Sequence, residues 1–119
     1  MSVITIEEID SNTKLSDLYH ALLYKSLTIN KEASLEKDSL HQQHLREIAF
    51  DSESNADYIA HCIVICGDIP IKESISVLSM YLSSKNKLPV RGQMCCGQNP
   101  WLRGLNLLKK YTQKEIINM

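Results

Sequence analysis

The chain is 119 residues long, carries 13 Lys and Arg against 14 Asp and Glu, and is 44% hydrophobic. A domain of this size buries roughly two-thirds of the surface that its unfolded chain exposes, so residues 1–119 are expected to fold as a single domain without a disulfide or a structural metal. The net charge of −1 argues against a general nucleic-acid binder, and four glycines and three prolines are too few for a β-sandwich or barrel. The expected fold class is therefore all-α.

The amino terminus predicts a cytoplasmic protein that does not contact a membrane. Residues 1–8 have no basic start and no long apolar run, and no stretch of the chain approaches the roughly 18 apolar residues of a membrane span. In the cytoplasm, Cys62, Cys66, Cys95 and Cys96 are expected to be reduced thiols.

The first predicted elements are an amino-terminal segment and two helices. Residues 3–6 form either a short strand or an apolar arm, since no periodicity decides between them. A helix is predicted from Ser11 or Ser16 to about Thr28, because apolar residues recur there at steps of three and four. A second, more polar helix is predicted over about residues 34–50.

Turn and cap residues divide the middle of the chain. The segment Asp-Ser-Glu-Ser-Asn at 51–55 predicts the end of the second helix and the start of a third, apolar helix over 56–66. Gly67 is expected to end that helix with a left-handed backbone, and Asp68 to cap a fourth helix over about 70–83. The third and fourth helices would then form a hairpin.

The carboxyl-terminal part predicts two further helices. A short helix is expected over residues 89–97, and a sixth from Pro100 to about Tyr111, with Asn99 as its cap. The Thr-x-x-Glu spacing at 112–115 is that of a capping box and predicts one last helical turn. The expected architecture is five to six helices stacked as antiparallel hairpins.

Two of these helix turns repeat a pattern, Gly-Asp-x-Pro at 67–70 and Gly-x-Asn-Pro at 97–100. Spaced aliphatic residues follow the first turn, and the next unit opens on a Val-Arg pair: Ile75, Leu78 and Leu82, then Pro89, Val90 and Arg91. Over about residues 46–111 the chain resembles a HEAT-like repeat, although Gly92 and the cysteine pair stand where that family prefers alanine.

The resemblance implies an α-solenoid fragment whose second helices present a surface to a partner protein. In length and helix content the chain also resembles small bacterial immunity proteins, which neutralise a cognate toxin domain. A nuclease is one candidate for that toxin. The resemblance therefore implies a binding protein rather than an enzyme, without a cofactor, a metal or catalytic residues. Whether two copies pair as a homodimer is left open.

Charge is distributed unevenly along the chain: residues 1–60 carry eleven acidic and five basic groups (net −6), and residues 61–119 carry three and eight (net +5). The candidate contacts for a basic partner are four acidic residues, Glu47, Asp51, Glu53 and Asp57. They also suit helix capping and solubility, because acidic residues are favoured near helix N-termini. Trp101 and Arg103 are the candidate anchors, since Trp and Arg are enriched at interface hot spots.

Two alternative functions are weighed against protein binding. A basic set in the second half could contact nucleic acid: Lys85, Lys87, Arg91, Arg103, Lys109, Lys110 and Lys114. A thiol or zinc enzyme could use the four cysteines with His61, and His41 and His44 could form a weak metal pair. Buried packing explains thiols among aliphatic residues better than zinc does, and the two polar-helix histidines are expected to be solvated.

Overall fold

A computed structural model of the chain describes residues 4–84 and 100–117, with side chains up to residue 113. These ranges hold a 3-10 turn at Ile6–Glu8 and four α-helices, which are α1 (Leu15–Leu35), α2 (Ser39–Cys66), α3 (Ile71–Ser83) and α4 (Pro100–Ile117). Neither range contains a strand, so the predicted all-α class is confirmed, and residues 4–6 are an arm and turn rather than a strand. The helix expected over 89–97 and the cap at Asn99 lie outside the described residues.

The helix α2 is the element on which the other helices pack. The helix α1 lies along it, α3 folds back on its carboxyl-terminal end, and α4 contacts both α2 and α3. The fully buried side chains come from all four helices and from the loop before α1: Ile9, Leu15, Leu18, Ile59, Cys62, Ile71, Ser74, Leu78 and Leu108. None of the helices in the described ranges is long and apolar enough to cross a bilayer.

The predicted break at 51–55 is wrong, because α2 continues through these residues without interruption. Ser52 occupies a core-facing position between Ala49 and Ala56, and all three are buried. Its hydroxyl donates to the carbonyl oxygen of Ile48 at 3.1 Å, so the group that would cap a new helix is satisfied inside the existing one. With no glycine or proline in the segment, the helix has no reason to stop, and the predicted second and third helices are one.

The boundary between α1 and α2 also lies further along the chain than predicted. The helix α1 extends to Leu35, past the expected end near Thr28, because Ala33 is buried against its neighbour. The cap of α2 is Asp38, whose carboxylate accepts from the Leu40 amide at 3.0 Å. A three-residue connection therefore joins two long antiparallel helices.

The loops before α1 and α3 cap each other. Asp68 was expected to cap α3, but its carboxylate accepts from the Ser16 amide at 2.8 Å and so caps α1. The amide of Leu15 donates to the Ile69 carbonyl at 3.1 Å, and the amide of Ile71 donates to the Thr13 carbonyl at 2.9 Å. Because the first amides of a helix lack partners within the helix, this exchange satisfies both N-termini and joins them.

The predicted end of α2 at Gly67 is confirmed, whereas the helix start predicted at 112–115 is wrong. Gly67 ends α2 at φ 75°, a backbone region that favours glycine, and its amide donates to the Ile63 carbonyl at 2.8 Å. The expected capping box at 112–115 is not a helix start, because α4 runs on to Ile117. The Thr112 hydroxyl donates to the Leu108 carbonyl at 3.2 Å instead of capping a new turn.

Close packing of α4 on α2 depends on the absence of a side chain at Gly104. A Cβ atom at this position would overlap the Sγ atom of Cys62 and lie 3.3 Å from the carbonyl oxygen of Tyr58. Glycine therefore lets the two helices approach at the level of Cys62.

We expect Gly104→Ala to lower the free energy of unfolding by about 1–3 kcal/mol, because the added methyl group overpacks this contact. Cys62→Ala removes the Sγ atom, so a double-mutant cycle measured by urea denaturation should show favourable coupling between the two substitutions. The recovery should be partial, since the Tyr58 carbonyl remains.

Gly67→Ala is the matched control for this cycle. Nothing lies within 4 Å of its added Cβ, so its cost arises from the positive φ alone. Cys62→Ala should not couple to Gly67→Ala. Strict additivity between Gly104→Ala and Cys62→Ala would contradict the proposed close contact.

Candidate protein-binding surface

All four acidic residues singled out from the sequence lie on α2 with exposed side chains: Glu47, Asp51, Glu53 and Asp57. The helix carries one basic residue, Arg46, which is exposed one turn before Phe50 and therefore lies among these carboxylates, leaving the surface with a net negative charge. Because α2 is unbroken, the four carboxylates have a fixed spacing along roughly 15 Å of one helix. This part of the surface is therefore both acidic and rigid.

Two exposed apolar side chains accompany these carboxylates, Phe50 at 72% exposure and Val64 at 79%. Phe50 is three residues from Glu47 and from Glu53, and Asp57 and Val64 follow it at steps of seven, which places them along one side of the helix. Sequence reasoning missed Phe50 and Val64. The signal was the helical spacing across 51–55, which the assumed break interrupted.

We call this surface the acidic face of α2. It consists of the four carboxylates and the two exposed apolar residues: Glu47, Phe50, Asp51, Glu53, Asp57 and Val64.

At one edge of the acidic face, α2 meets the basic half of the chain. The guanidinium of Arg103 lies 4.0 Å from the Asp51 carboxylate and 4.6 Å from the centroid of the Tyr58 ring. Ion pairing and cation–π attraction thus act together on one side chain that remains 40% exposed. Arg103 partly neutralises Asp51 and holds α4 against α2.

Trp101 lies where α2, α3 and α4 meet. The His61 ring contacts it edge-on with centroids 5.0 Å apart, and the Tyr81 ring does so at 6.1 Å. His61 also lies 3.7 Å from the Asp57 carboxylate, one turn earlier on α2. Trp101 is half-buried in these contacts, so it supports the carboxyl-terminal end of the acidic face from the side of α4.

The basic residues considered for nucleic-acid contact are divided between α4 and parts of the chain outside the described residues. Lys109 and Lys110 are exposed on α4, while Arg103 is occupied by Asp51 and Tyr58. Lys85, Lys87 and Arg91 lie outside the described residues, as does the side chain of Lys114.

The two thiols within the described ranges have the properties of packing residues. Burial raises the pKa of Cys62 to about 12, with the neighbouring Cys66 adding to the effect, and burial raises the pKa of Cys66 to about 11. The Cys66 thiol donates to the Ser74 carbonyl at 3.7 Å. Since the thiolate is the nucleophile and the metal ligand, both groups are poorly suited to either chemistry near neutral pH. Cys95 and Cys96 lie outside the described residues.

Potential metal ligands are dispersed in the part of the chain that the structure describes. No three His, Cys, Asp or Glu side chains are grouped there as they would be around an ion. His41 lies 3.9 Å from the Glu36 carboxylate at the α1–α2 connection, and His44 is exposed.

The chain matches no protein-family model, no curated protein sequence and no solved structure.

We expect Arg103→Ala to lower the free energy of unfolding by about 1 kcal/mol, because it removes both an exposed ion pair and a cation–π contact. Asp51→Asn removes the ion pair alone, so it should cost less, and its effect should vanish at high salt. Lys109→Ala, which changes an exposed charge on the same helix, is the control for urea denaturation. A cost for Arg103→Ala no larger than that of the control would show that these contacts do not hold α4.

We expect iodoacetamide to alkylate Cys62 and Cys66 slowly in the folded protein at pH 8 and rapidly in denaturant. Their raised pKa values keep both thiols protonated, and the labelling rate should still rise by about tenfold per pH unit at pH 9. The contribution of the buried, neutral thiols to the free energy of unfolding is fully present below pH 9. It is lost as pH rises through the folded-state pKa values of about 11 and about 12. Peptide mass spectrometry measures the alkylation rate at each cysteine. Equal rates in folded and denatured protein would contradict the prediction and favour a reactive thiol.

Proposed function

We propose that the protein is a non-enzymatic binding protein, and that its acidic face on α2 contacts an electropositive partner protein. The observation that carries the proposal is an exposed Phe50 flanked by exposed carboxylates on one continuous helix. Protein interfaces commonly combine an apolar centre with a charged rim, in which aromatic side chains supply most of the energy and charges supply specificity and association rate.

The particular function that we propose is that of an immunity protein, which neutralises a cognate toxin domain by covering its active site. A nuclease binds a polyanion and therefore has a basic substrate groove. Carboxylates with a fixed spacing can occupy such a groove and exclude the substrate by steric and electrostatic means. This mechanism needs no metal, cofactor or catalytic side chain in the inhibitor.

The HEAT-like resemblance supports the same class of partner. In this proposal α2 and α3 form one hairpin of a short stack, and α4 packs against both. Arg103 lies at the edge of the acidic face, where it pairs with Asp51, and Trp101 keeps α4 in place behind it. The stack would then present α2 to the partner as a preorganised surface, which lowers the entropic cost of binding.

The proposal predicts that a reading frame adjacent to this one in the source genome encodes a toxin domain, and it is tested by expressing the chain together with that domain. The unmodified chain should protect the cells and bind the purified toxin domain. The variant Glu47→Gln, Asp51→Asn, Glu53→Gln, Asp57→Asn should associate at least about tenfold more slowly at low salt, because steering by complementary charge is lost.

A matched variant makes the same change in net charge elsewhere: Glu7→Gln, Glu32→Gln, Glu36→Gln and Glu73→Gln. It should bind like the unmodified chain. Equal loss in both variants would make the effect one of net charge, and no loss in either would remove the acidic face from the interface. Retention of the chain on heparin with a steep salt dependence would favour the nucleic-acid alternative.

A further inference from the structure

The helix α1 has a second large apolar surface, on the side opposite α2. Its core side is buried through Leu15, Leu18 and Leu22. On the opposite side Tyr24 is 58% exposed and Leu27 is 69% exposed. Single exposed apolar residues are ordinary, but two large ones one turn apart form the centre of a patch.

Two opposite charges flank this patch symmetrically. Asp17 lies seven residues before Tyr24 and Lys31 seven residues after it, which is close to two helical turns in each direction. Both charged side chains are exposed, and neither forms an ion pair with another side chain in the described ranges. We call Asp17, Tyr24, Leu27 and Lys31 the outer face of α1.

The outer face of α1 is self-complementary, and we propose that two copies of the chain pair through it as an antiparallel, two-fold symmetric dimer. A two-fold axis at Tyr24 places Asp17 of each copy opposite Lys31 of the other, so that two identical ion pairs flank an apolar centre. Interfaces of this isologous kind are the commonest in soluble homo-oligomers.

The amino-terminal arm extends the same surface. Beside α1 it forms a shallow, mostly apolar groove of about 200 Å³, whose lining includes Ile4, Ile6 and Tyr24. A single pair of helices buries little area compared with a standard interface, so this added apolar surface favours a stable pair.

The charge pattern of α1 favours a second copy over a different protein. The helix carries two acidic and two basic residues, Asp17, Glu32, Lys25 and Lys31, and is neutral as a whole, whereas α2 carries four acidic residues and one basic one. A strongly basic partner would therefore be drawn to α2. The outer face of α1 instead offers one charge of each sign at equal distance from its centre, which a second copy complements.

Charge exchange tests this pairing with the full chain in sedimentation equilibrium. The unmodified chain should form a reversible dimer. Asp17→Lys alone and Lys31→Asp alone should each weaken it by about tenfold or more, because two attractive contacts become repulsive. An equimolar mixture of these two variants should form a heterodimer, since every facing pair is then opposite in sign, and the double variant should dimerise like the unmodified chain.

Lys37→Asp, at the α1–α2 connection, is the control of equal charge change and should leave dimerisation unaltered. Circular dichroism checks that each variant keeps its helix content. A monomeric unmodified chain at the highest attainable concentration would overturn the proposal. A dimer that ignores both single changes, or single variants whose mixture stays monomeric, would also overturn it. The proposal is independent of the acidic face, because these variants leave α2 intact and should still bind the toxin domain.

Discussion

The continuity of α2 through Ser52 is the constraint on which the remaining structure depends. This one small side chain fits the core-facing row between Ala49 and Ala56 and satisfies its hydroxyl on the carbonyl one turn earlier. The start of α1 lies beside the end of α2, and a three-residue connection joins the end of α1 to the start of α2, so a helix end at Ser52 would have divided the surface on which α1 packs. Because the helix continues, one rigid element supports three others and carries four carboxylates at fixed spacing.

A second constraint lies at the amino-terminal end of α1, where the loop before α1 and the loop before α3 exchange hydrogen bonds. Asp68 caps α1 through the amide of Ser16, 52 residues earlier in the chain, and backbone bonds between the same loops satisfy the first amides of α1 and α3. Charge-assisted bonds to helix N-termini are among the stronger polar contacts. The position of α1 relative to α3 is therefore set by polar contacts as well as by the apolar core.

Much of the fold could be predicted from local pattern, because helical periodicity and the glycine at position 67 act within a few residues. Two of the errors share one cause. Ser52 and Asp68 are cap-forming residue types, but the sequence does not tell whether such a side chain finds its partner in its own turn or in a distant loop. The acidic residues of the candidate site were found because charge is visible in a sequence. Phe50 was missed because its exposure depends on which side of α2 the other helices cover.

The structure also changes the meaning of the uneven charge along the chain. A net −6 in the first half and +5 in the second would form two opposed surfaces only if the halves were separate in space. They are not separate, because α4 packs on α2 and Arg103 lies against Asp51 and Tyr58. Part of the basic charge is thus paired with Asp51 at the edge of the acidic face. The exposed side of α2 around Phe50 carries Arg46 and the four carboxylates, and its net negative charge suits the basic partner proposed above.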